Sequence, residues 1–176
     1  MAYKDIVPIG TTLIIAASSF GLGCVYGNLP YDLETLFRYD PTGASFERAL
    51  AHYQVWANTP SYVHYIFHFV AILGLSGCFI KLYKPDSDQV YFEYGTLGLL
   101  MISLIIYLTN LRTGLNSAHY GDWGEVDMPT GISVMAASQI MIVLALVGAL
   151  LLQAGLYYAQ WYDAGVREKF LKDQAE

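Results

Sequence analysis

The chain has 176 residues, of which 55% are hydrophobic and only 14% charged, with a formal net charge of -6. So few charges, against roughly 25% in ordinary soluble domains, exclude a freely soluble globular domain and indicate an integral membrane protein. The acidic balance, with no cluster of Lys and Arg, also excludes a nucleic-acid partner, because phosphate binding needs grouped cations.

The first apolar block covers residues 6–27, enough for the roughly 20 residues that cross a hydrocarbon core about 30 Å thick. It is preceded by Lys4 and Asp5, not by a strongly basic segment, and its apolar run is longer than that of a signal peptide, so it reads as a retained span. Gly21-Leu22-Gly23-Cys24 has the look of a lipoprotein cleavage box, but Gly21 stands where a large aliphatic residue belongs. Ser19, Gly23 and Gly27 recur every four residues and share one helix face, a seam along which another backbone can approach closely. Asn28 to Pro30 are expected to stop the span, and Tyr31 with Asp32 to start an acidic loop over residues 28–61. Within that loop Asp40-Pro41 reads as an N-cap followed by proline at the first helical position. The spacing predicts a helix over 42–57 with Phe46, Ala49, Leu50, Tyr53 and Trp56 on one face, ended by Asn58-Thr59-Pro60.

The second block, 62–81, begins with His64 and His68, four apart, so both rings can reach one metal ion. The chain has only two other histidines, His52 and His119, and the bland reading places the pair among the interfacial rings Tyr62, Tyr65 and Phe67. A turn at Lys84-Pro85-Asp86-Ser87-Asp88 ties this block to the third, 92–111, as a hairpin. There Ser103, Tyr107 and Asn110 lie at helical spacing. Such groups must face protein, because an unpaired hydroxyl or amide in lipid costs several kcal/mol; they either bond internally or touch the helices of another membrane protein. The last block, 130–159, repeats the small-residue pattern with Ala145, Ala149 and Gln153, beside Gly148 and Gly155, and residues 160–176 form a short charged tail. The architecture expected is all-α: one membrane domain of four transmembrane helices packed as a bundle, with a long first loop holding a short helix.

Orientation follows the distribution of basic residues. Lys4, Lys81, Lys84, Arg167, Lys169 and Lys172 fall on one side, against Arg38, Arg48 and Arg112 on the other, which puts both termini in the cytoplasm. The opposite face holds Asp32, Glu34, Asp40, Glu47, Asp122, Glu125 and Asp127. Signs of chemistry are few. Cys24 and Cys78 both fall inside spans and make neither a disulfide framework nor a CxxC pair. The chain has no GxSxG elbow and no phosphate loop. No span carries a charge through its centre, which argues against an ion path. No cofactor or metal is expected, and the chain does not read as an enzyme.

Several blocks then carry a family resemblance: Gly21-Leu22-Gly23-Cys24 with Leu29-Pro30-Tyr31-Asp32, Gly77-Cys78-Phe79-Ile80-Lys81-Leu82-Tyr83-Lys84 leading to Tyr91-Phe92-Glu93-Tyr94-Gly95-Thr96-Leu97, Ala136-Ala137-Ser138, and Val147-Gly148-Ala149-Leu150-Leu151-Leu152-Gln153-Ala154-Gly155. In this order they resemble the fungal packaging chaperones of the super-high-histidine-resistance type, over residues 12–159. The resemblance implies a four-span protein of the endoplasmic reticulum membrane with a cytoplasmic C-terminus. It would keep newly synthesised amino-acid permeases from aggregating and help them into transport vesicles, with membrane lipid as its surroundings. The candidate contact residues, for helix packing or for the client, are Ser19, Gly23, Gly27, Pro30, Tyr31, Asp32, Ser103, Tyr107, Asn110, Ser138, Ala145, Ala149 and Gln153. Phe37 stands where the family's tryptophan is expected and Glu93 where an aspartate is usual. Members with a long charged tail are linked to vesicle-coat components; the tail here, from Gln160, has 17 residues and ends Lys-Asp-Gln-Ala-Glu, with no lysine-based retrieval signal. Two other classes fit parts of the pattern: a permanent, non-catalytic subunit of a membrane enzyme complex, and a small membrane enzyme using His64 and His68.

Overall fold

A computed structural model describes residues 3–38, 40–84 and 89–174. The described residues are mostly helical, with no strand among them. The helices are α1 (Tyr3–Phe37), α2 (Ala44–Ala57), α3 (Ser61–Leu82), α4 (Val90–Ile106), α5 (Arg112–Tyr120) and α6 (Met128–Asp173), and a π-helical turn, Tyr107–Leu111, joins α4 to α5. Four helical stretches are long and apolar enough to cross a membrane: Ile6–Phe37, Ser61–Leu82, Val90–Tyr120 and Met128–Asp173. The expected turn at Pro85, Asp86, Ser87 and Asp88 lies outside the described residues.

Helix α1 packs against α3 on one side and α6 on the other, α6 also packs along α4, and α3 and α4 meet less extensively. Two apolar centres result. One lies within the bundle around Ile14, Val25, Cys78, Leu100, Ile142, Leu146 and Ala149. The other lies at one end, where α2 and α5 close over the start of α6 through Ala49, Tyr53, Ala118, Ile132 and Met135. The predicted face of α2 is the buried one, with Phe46 and Leu50 packed against this second centre.

Four boundaries differ from expectation. The third span, expected to end at 111, runs on through the π turn and α5 to Tyr120. Helix α1 does not stop at Asn28 to Pro30 but continues to Phe37, with Pro30 inside it. A proline there removes one backbone hydrogen bond, a cost set against the contacts made by the extra turns: Tyr31 and Thr35 are at least partly covered and Asp32 is fully buried. Asp32 is therefore part of the packed interior and not of an acidic loop. Helix α2 starts at Ala44, and its N-cap is Gly43 with φ 73, a left-handed backbone that suits glycine. Asp40 still serves the helix start from farther out, accepting hydrogen bonds from the backbone N–H of Thr42 at 2.9 Å and of Ser45 at 2.8 Å. The Thr42 hydroxyl donates to it as well, at 2.6 Å, and these bonds, that hydroxyl first, hold its carboxyl well below the usual carboxylate range. Finally, α6 runs 46 residues, about 69 Å at about 1.5 Å per residue, so the segment read as a tail continues the last helix and leaves Trp161, Tyr162, Val166 and Phe170 exposed.

Candidate functional site

The two faces of α1 have opposite fates. Gly10 lies so close to α3 that a β-carbon on it would sit 2.9 Å from the Gly77 carbonyl, and one on Gly77 would sit 2.6 Å from the Gly10 carbonyl. Gly74 would likewise meet the Ala17 side chain at 2.8 Å. Backbone contact of this kind is what small residues permit at membrane-helix interfaces. The seam named from the sequence is a different one. Ser19, Gly23, Gly27 and Pro30 are exposed, and no heavy atom of the described chain lies within 4 Å of a β-carbon placed on Gly23 or Gly27. A four-residue repeat marks a face as small but does not say whether the same chain covers it; the Gly74-x-x-Gly77 pair on α3 was the missed sign of the covered seam.

At the end capped by α2 a polar network joins three helices. Asn28 of α1 donates from Nδ2 to Gln139 Oε1 on α6 at 2.7 Å, and Gln139 Nε2 donates to the Tyr53 hydroxyl of α2 at 2.6 Å. The Tyr53 hydroxyl donates in turn to the Asp32 carboxylate. His52 donates from Nε2 to Asn28 Oδ1 at 2.8 Å and stacks on Tyr31 with ring centres 4.0 Å apart. Asp32, Tyr53 and Gln139 are nearly inaccessible. Burial raises the Tyr53 phenol above its usual range, with the Asp32 charge adding to it, and burial lowers the His52 imidazole. The Pro-Tyr-Asp block is thus a clamp that holds α2 on the bundle. The Arg48–Glu34 ion pair at 2.7 Å also links α2 to α1 but is largely exposed, and pairs of that kind contribute about 0–1 kcal/mol. Burying the Tyr53 ring contributes about 1.5–3 kcal/mol, so the clamp and not the ion pair dominates the docking.

At the other end lies a buried ion pair, at the ends of two spans and not through their centres. Lys81 Nζ, at the end of α3, lies 2.7 Å from Glu93 Oε1 in the first turn of α4, both side chains under 5% exposed. Lys81 also donates to Gln153 Oε1 of α6, and Gln153 Nε2 donates to the Thr96 hydroxyl at 2.8 Å. Gln153, expected in a row with Ala145 and Ala149, lies with them in the buried face of α6. Asn110 donates to the Ser138 hydroxyl at 2.8 Å, and Ser103 bonds back to the Leu99 carbonyl at 3.0 Å. Asn110 belongs to the π-helical turn, a feature often found at functional sites.

Between these layers lies an apolar cavity of about 180 Å3, walled by α1, α3, α4 and α6 and reaching Tyr53 at the capped end. Tyr107 lines it from the π turn; Phe67 lines it from α3 and contacts the rings of Phe20, Trp56 and Tyr107. His64 also lines the cavity, whereas one turn on His68 accepts from Arg112 Nη1 at 3.3 Å. Among the described residues no three His, Cys, Asp or Glu side chains draw together as metal ligands do. The arrangement can bind and hold apolar surface.

Comparison with known proteins bears on all of this. The family model described as "ER membrane protein SH3", the SHR3 chaperones, matches residues 5–176. The "Secretory component protein psh3" of Schizosaccharomyces pombe is 22% identical over 165 residues, 93% of this chain and 75% of that protein. No solved structure matches.

Proposed function

The chain belongs to the SHR3 chaperone family of endoplasmic reticulum membrane proteins, and from that membership we propose that its clients are newly made amino-acid permeases, met through the open face of α1. Its role is that of a packaging chaperone of the endoplasmic reticulum membrane. The observation that carries the proposal is the uncovered row of Ser19, Gly23, Gly27 and Pro30. A client helix with its own small or polar face can lie close against such a row. Contacts of this kind are individually weak, about 0.6–2 kcal/mol for a membrane hydrogen bond, which suits capture followed by release. In this reading the protein performs no catalysis, both termini lie in the cytoplasm, and the α2 cap lies in the lumen. The distribution of basic residues supports that orientation, although buried Lys81 now counts as half of an ion pair and not as a loop charge.

Deleting the protein and following permeases through microsome fractionation tests the proposal. Permeases are expected to aggregate in the endoplasmic reticulum and to be depleted from transport vesicles. Normal surface delivery would overturn it, and stoichiometric co-purification with a single partner would assign the open face to a permanent complex instead.

A further inference from the structure

We propose that the cavity between α1, α3, α4 and α6 is a phospholipid site, taking one acyl chain from the surrounding bilayer with the lipid phosphate held at Arg112. An acyl chain is the occupant the surroundings supply, because the slot lies between membrane-spanning helices and is bordered by bilayer hydrocarbon. The lining fits hydrocarbon, with Leu75, Leu100, Leu104, Ile142 and Leu146 forming much of the wall. On its α3 and α4 sides Val70, Ala71 and Leu104 are only partly covered, and these two helices meet less extensively than α1 with α3, α1 with α6 or α4 with α6. A chain can therefore enter sideways from lipid.

The rim supplies a headgroup contact. Arg112 is exposed, forms no ion pair among the described residues, and donates to His68 at 3.3 Å. The His68 ring lies edge-on to Tyr107, which lines the cavity. Arg112 also lies at headgroup height: counted from Val90 it is about 33 Å along the chain at about 1.5 Å per residue, close to the roughly 30 Å thickness of a hydrocarbon core. A guanidinium with no acid partner, beside an apolar slot at that height, complements a phosphate diester whose tail fills the slot. The site concerns lipid and not client, so it stands or falls separately from the chaperone reading.

The test uses the full chain, purified in mild detergent and mixed with phosphatidylcholine carrying a photoreactive diazirine in one acyl chain. Adducts are expected on residues 70–75 and 100–107, and on the outward residues Leu144 and Leu151 of α6. Ala71→Phe and Leu104→Trp fill the cavity from different helices, α3 and α4, so a folding failure of one leaves the other informative. Each should abolish the wall adducts and spare those at Leu144 and Leu151. Arg112→Gln, at an exposed position, should lower wall labelling severalfold. Wall adducts that are absent from the unaltered chain, or that survive filling of the cavity, overturn the site. Labelling unchanged in Arg112→Gln overturns the phosphate contact, and a crosslinker on Cys24 that captures polypeptide in place of lipid overturns the choice of occupant.

Discussion

At the scale of single residues the structure rests on a few buried polar groups that an apolar sequence makes easy to overlook. Asp32 has one carboxylate oxygen bonded to Tyr53 and the other without a partner among the described residues. Tyr53→Phe removes the donor of the first and leaves Gln139 without its acceptor. We expect a loss of about 1–3 kcal/mol, read as earlier unfolding in detergent. His52 adds a pH dependence of definite sign. Burial lowers its folded-state pKa, so the unfolded chain takes up the proton first as pH falls. Its contribution is full above about pH 6.5, the ordinary imidazole value, and declines below it. Asp40, also lowered, loses its contribution only in the more acidic carboxylate range. Proteolysis near the start of α2 should therefore quicken in mild acid for the unaltered chain and much less for His52→Gln. Equal acceleration in both would assign the effect to another group.

At the scale of elements, apolar blocks and the helical period made the four long helices and the inward face of α2 legible. The ends of the helices were not. Asn28, Pro30 and Asp32 look like loop residues because in isolation each disfavours a helix interior; the contacts with Tyr53, His52 and Gln139 that override this come from α2 and α6, distant in the sequence. Lys81 and Glu93 misled for a related reason. Each reads as a charge at the edge of a span until the α3–α4 hairpin brings them within 2.7 Å. Breaking that pair alone, by Glu93→Gln or Lys81→Met, should destabilise by about 3–5 kcal/mol, while Lys81→Met with Glu93→Leu should recover much of the loss. A thermal-unfolding series of the three variants checks it. The glycines separate packing from surface in the same way. Gly77→Leu must force α1 and α3 apart and should impair folding, whereas a β-carbon on Gly27 meets no other part of the described chain within 4 Å, so Gly27→Leu should leave the fold unchanged.

For the molecule as a whole, the helices form a bundle with a capped end, an apolar pocket between the spans and an uncovered small-residue face on α1. The sequence blocks were enough to suggest a family, yet many of the candidate contact residues, including Asp32, Ser138, Ala149 and Gln153, are occupied inside the chain. That leaves Ser19, Gly23, Gly27 and Pro30 as the surface open to a partner. The decisive measurement is site-specific photo-crosslinking in microsomes translating an amino-acid permease, with the probe placed in turn at Gly23, Gly27 and Ala149. The account predicts crosslinks to the unfinished permease from Gly23 and Gly27 that disappear once it leaves the endoplasmic reticulum, and none from the buried Ala149. Permease crosslinks from Ala149 alone, or none from the α1 face, would contradict it.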